Sequence, residues 1–115
     1  ATAQRFAPMA LQAYGMLDPI DADARYHAGA IHIQLGEFPA ALALADTIQA
    51  GAPSHLFADL LRLEVAQARG ENAQATRAGR SFLEHLDAEL KAGRPEYQEH
   101  RAMLDQLKQR LTAQP

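Results

Sequence analysis

Five histidines and fourteen carboxylates are the side chains of this sequence with most chemistry to offer, because it has no cysteine and only two serines. A zinc site on a helix asks for two histidines four residues apart, so that both imidazoles share one face. His27 and His32 are five apart and diverge around a helix. Glu96 with His100, and His85 with Glu89, have the right spacing. Two ligands leave a site unfinished, so both read as pairs on a helix surface and no metal ligand is expected. Ser54 beside His55 sets a hydroxyl next to a base, yet consecutive residues of a helix do not face each other, and Ser54 after Pro53 reads as an N-cap. The seven glycines are scattered rather than gathered into a phosphate-binding loop. The expectation is a chain with no catalytic residue, no cofactor and no metal: not an enzyme.

The elements that would position these side chains follow from length and pattern. One hundred and fifteen residues suffice for a single small domain, residues 1–115, and two would each be too short to bury a core. At 48% hydrophobic and 22% charged, the chain has enough apolar surface to fold. No apolar run reaches the roughly 18 residues of a spanning helix, so no membrane insertion is expected. Residues 1–7 lack the basic start and long apolar stretch of a signal peptide or anchor. A net charge of −3 argues against nucleic acid as a partner, since a phosphate backbone calls for a basic face. Phe6, Met9, Ala10, Ala13, Tyr14 and Leu17 recur at helical spacing, and the helix they form stops before Pro19, after which Asp21 or Asp23 caps the next. Breaks at Gly36, Pro53, Gly70 and Gly93 then predict helices near 22–35, 38–50, 54–69, 72–91 and 95–111, after the first near 3–17. Alanine is frequent, β-branched residues never alternate with polar ones, and no strand is predicted.

The breaks repeat. Pro19 and Pro53, Gly36 and Gly70, Glu37 and Glu71, and Ala24 and Ala58 are each 34 residues apart, and Ala7, Ala41 and Ala75 take that step twice. Prolines and glycines at helix ends have a mechanical role, so their shared offset carries more weight than the alanines. Each pair of helices leaves an apolar face that only a neighbouring pair covers, and stacking is obligatory. In the last helix Tyr97, His100, Leu104, Leu107 and Leu111 form one stripe, which suits a terminal cap.

On Ala28-Gly29, Gly36-Glu37-Phe38, Ala41-Leu42, Ile48 and Pro53 the chain resembles the tetratricopeptide repeat family, whose unit is two antiparallel helices in about 34 residues. The copy at 22–55 is the fuller one. That at 56–93 keeps Gly70, Glu71 and Ala75, has Arg62-Leu63 where an apolar-small pair belongs, and runs its second helix on to Gly93. Residues 1–21 look like the latter part of a preceding copy, and 95–111 like a capping helix. The resemblance implies an all-α fold of about six helices: antiparallel helix-turn-helix repeats stacked as a short right-handed α-solenoid. It also implies a concave face lined by Asp23, Tyr26, His27, Ala30, Ile33 and Gln34 from the first copy, and by Phe57, Leu60, Leu61, Glu64 and Gln67 from the second. Tyr26 and Ala30 stand where relatives that clamp a C-terminal carboxylate carry lysine and asparagine, so that clamp is not expected. The function implied is a scaffold or adaptor that holds a peptide or helix of a protein partner in this groove. Two alternatives stay open. Phe57 and Leu61 could be core, with Tyr26 covering a repeat upstream. The exposed N-terminal helix face could instead pair with a second copy, as a homodimer, or dock as the assembly domain of a larger protein.

Overall fold

A computed structural model of the chain describes residues 21–113, and among these it is all-α, with no strand. Asp21 opens the first helix, α1 (Ala22–Gln34), by accepting a hydrogen bond from the Ala24 amide at 3.0 Å. Four more long segments and one short one follow: α2 (Phe38–Gly51), α3 (Leu56–Ala68), α4 (Asn72–Ala92), α5 (Pro95–Glu99) and α6 (Arg101–Ala113). The helix expected near 3–17 and the partial copy at 1–21 fall outside the described residues, save Asp21.

Two turns share one construction. Gly36 and Gly70 adopt φ of 76° and 69°, a left-handed conformation that a side chain would strain. The Glu37 amide donates to the His32 carbonyl at 2.8 Å and the Glu71 amide to Ala66 at 2.9 Å, while the glycine amides donate to Ile33 and Gln67. This bonding closes the last turn of α1 and of α3 in the same way, 34 residues apart. Each turn sends the chain back as a helical hairpin, α1 on α2 and α3 on α4, and α3 also packs against α1 and α2.

The core forms around α3, in which Leu56, Phe57, Ala58, Leu60, Leu61, Leu63, Val65 and Ala66 are all buried. Gly29 lets α1 lie against it: a β-carbon there would come within 2.5 Å of the Leu61 side chain. Ala41 on α2 is fully buried. Phe82 and Leu86 from α4, Tyr97 from α5, and Leu104 and Leu107 from α6 complete one continuous apolar cluster. No helix among the described residues is long and apolar enough to cross a membrane.

Two local expectations are corrected. The α3 N-cap is His55, not Ser54: its imidazole accepts from the Phe57 amide at 3.1 Å, a cap that the aromatic neighbours around it favour by burying the ring. The helix expected over 95–111 is broken at His100, whose φ of −111° and ψ of 17° interrupt it. Its two halves are anchored to different partners. The Tyr97 hydroxyl is tied to α3 and α4, and the His100 imidazole to α1.

Candidate functional site

Where α5 meets α6, rings from three helices, a cap and the α5–α6 joint gather. Tyr26 packs on Phe57 with centroids 5.0 Å apart, Phe57 on His100 at 5.4 Å and on Tyr97 at 5.6 Å, and His55 on Tyr97 at 5.0 Å. Hydrogen bonds run through this cluster. The Tyr26 hydroxyl donates to Glu64 Oε1 at 3.0 Å and lies 3.8 Å from the Met103 sulfur. The Tyr97 hydroxyl donates to Glu89 Oε1 at 2.7 Å and accepts from the Leu56 amide at 2.9 Å. Burial, aided by the neighbouring carboxylates Glu64 and Glu89 respectively, pushes both phenols far above their ordinary range, so both remain protonated donors.

Burial acts on Glu64 and His55 as well. Burial pushes Glu64 upward, and its Oε2 has no hydrogen-bond partner. Burial pulls His55 below the usual histidine range, against the opposing pull of Glu96. Because His55 Nδ1 accepts from the Phe57 amide, the ring proton sits on Nε2, where it donates to Glu96 Oε2 at 3.2 Å. Protonating the ring would therefore cost the cap of α3 as well as the desolvation.

The side chains assigned to a concave wall separate into three sets. Phe57, Leu60 and Leu61 lie in the core, and Tyr26 is 6% exposed beneath His100 and Met103. Asp23, His27 and Glu64 are half-buried beside them, as are Ala30 and Ile33 further along α1. Gln34 and Gln67 are exposed at the far ends of α1 and α3. Tyr97 and His100 of the α5–α6 segment cover Phe57, and α1 covers Leu61 at Gly29.

The i, i+4 pairs expected of the acids and histidines give way to longer-range ones. Glu96 pairs with His55 and Glu89 with Arg94. His85 pairs with Asp59 at 3.2 Å. His100 reaches Asp23 at 2.9 Å, and Asp23 also meets His27 at 3.2 Å. Spacing within one helix points to only part of the three-residue group that results. Its only trace is that Asp23 and His27 are one turn apart.

A second surface stays open. Between α2, α3 and α4 runs a groove of about 500 Å³, lined by Leu42, Val65, Ala66 and Ala78, with Arg62, Arg69 and Arg77 along it. Arg62 is held by Asp46 and Gln49, both exposed, and Arg69 by Glu71. Asp59, at the same groove, accepts from Ser81 at 2.7 Å and is buried. The Ser81 hydroxyl and the His85 imidazole both meet Asp59 beside this groove, and the rest of its surface offers apolar contact and guanidinium donors. No protein-family model, curated protein or solved structure matches the chain.

Proposed function

We propose that this chain is a helical-repeat interaction module of the tetratricopeptide type, which holds a short partner segment and does no chemistry of its own. The reading rests on the groove between α2, α3 and α4. Stacked helical pairs leave such channels on their surface, and recurrence of the same glycine turn after 34 residues supports a repeat origin for these pairs. The groove is preferred to the aromatic wall because the chain's own α5 and α6 already cover that wall. Its guest is an extended segment with apolar and acidic side chains: Leu42 and the small residues beneath it accept the former, and Arg69 and Arg77 the latter.

Selection of a random peptide library displayed on phage, followed by fluorescence polarisation with the enriched peptides, tests this. The expected consensus combines aspartate or glutamate with an apolar residue. Affinity should fall at least tenfold in Arg69→Glu and Arg77→Glu, both exposed positions, and stay unchanged in Tyr26→Phe. Failure to enrich a consensus, or peptides indifferent to both arginine variants, would overturn the proposal.

A further inference from the structure

We infer that Asp23, His27 and His100 form a binding site for a divalent transition-metal ion of the zinc class. The inference does not depend on the peptide groove. Asp23 and His27 project from successive turns of α1, and His100 arrives from the joint between α5 and α6, 77 residues after Asp23. Asp23 Oδ1 lies 3.2 Å from His27 Nε2 and 2.9 Å from His100 Nε2, and the three donor atoms all lie within 4.8 Å of one another. Metal–ligand bonds of about 2.0–2.2 Å at tetrahedral angles set donor atoms roughly 3.3 Å apart. Two edges of the triangle thus stand near that length already, and the third is no longer than 4.8 Å.

The donor chemistry selects the ion. Two imidazole nitrogens and one carboxylate oxygen suit zinc, cobalt, nickel or copper, whereas calcium and magnesium prefer all-oxygen shells. One carboxylate oxygen facing two imidazoles is unlike the other histidine contacts, where His32 meets Glu37 and His85 meets Asp59 one to one. A metal ion takes the place of the two ring protons that otherwise point at the same oxygen. Side-chain exposures of 41%, 31% and 20% leave the position open to solvent, so an ion enters without unfolding and keeps a water as fourth ligand. Because its ligands come from α1 and from the α5–α6 joint, the ion clips the C-terminal helices onto the first one. Zinc at about 100 times its dissociation constant should then suppress openings that release His100 by about 100-fold.

Titration calorimetry with zinc chloride should give one ion per chain, and cobalt should give the visible absorption of a four-coordinate site. His27→Ala, at a half-exposed position whose fold is checked by circular dichroism, and His100→Gln should each weaken zinc at least tenfold, while His85→Ala should leave it unchanged. Hydrogen exchange of α6 amides should slow with zinc in the wild type and not in His27→Ala. Absence of saturable zinc binding, or affinity within threefold of wild type in both His27→Ala and His100→Gln, would overturn the inference.

Discussion

Tyr97→Phe removes one oxygen atom and leaves the ring packing in place, which makes its cost calculable from the bonds it breaks. Tyr97 is 2% exposed, and its hydroxyl stands between the Leu56 amide at 2.9 Å and Glu89 Oε1 at 2.7 Å. Leu56 is the first residue of α3, where the helix itself supplies no acceptor, so its amide loses its one partner. An unpaired buried amide costs about 1–3 kcal/mol. Glu89, also buried, loses the bond it accepts from the Tyr97 hydroxyl but keeps the one from Arg94 at 3.0 Å, which reduces the second loss to the lower end of about 1.5–3 kcal/mol. Together the substitution should cost roughly 2.5–4.5 kcal/mol, a large share of the about 5–15 kcal/mol that holds a small domain folded. Urea denaturation followed by far-ultraviolet circular dichroism at neutral pH measures it, and the melting temperature should fall by roughly 10 °C or more. A loss under about 0.5 kcal/mol would refute the reasoning, since surface substitutions fall within that range and α5 would then not be seated on α3 and α4.

Other substitutions read out other contacts. Gly29→Ala drives a methyl group into the buried Leu61 side chain and should destabilise by about 1–3 kcal/mol in the same denaturation assay, with part of that recovered when Leu61→Val is added. His55 has its folded pKa depressed, so the unfolded chain binds more protons and stability declines as pH falls below the ordinary value of 6.5. The slope is at most about 1.4 kcal/mol per pH unit. His55→Asn, which still caps α3, should flatten this part of a stability-versus-pH curve. Glu64 behaves in the opposite sense. Its folded pKa is raised above 4.5, so it favours the folded state at low pH, and that contribution is lost as pH rises through the folded value. Glu64→Gln, which keeps an acceptor for Tyr26, should therefore stabilise the protein by about 1 kcal/mol at pH 7 and have less effect at pH 4.

Helix punctuation was legible because it is written in single residues. Gly36, Gly70 and Gly93 each end a helix with a positive φ, Pro95 starts one, and the expected ends of α1 to α4 lie within two residues of those found. What sequence did not disclose depends on tertiary neighbours. His55 takes the capping role from Ser54 because Phe57 and Tyr97 surround its ring, and spacing along the chain carries no record of that. The break at His100 has no proline or glycine to announce it; it follows from anchoring Tyr97 and His100 to different helices. The same holds for the acids and histidines. A search by i, i+4 spacing finds Glu96 with His100 and misses Asp23 with His100, because only packing of α5 and α6 on α1 brings the latter pair together. Tyr26, Phe57 and Leu61 were legible as large groups on one helical face, but whether such a face is open or covered is decided by the terminal helices.

The docking of α6 over the aromatic face, on account of which the α2–α3–α4 groove is preferred as the binding surface, is measured most directly by nuclear Overhauser contacts at Tyr26. The ring of Tyr26 should show cross-peaks to the Met103 methyl group, as expected from a hydroxyl 3.8 Å from the Met103 sulfur, and these should persist across dilution. Tyr26 cross-peaks confined to α1 and α3, with Met103 in contact only with solvent or its own helix, would contradict the account.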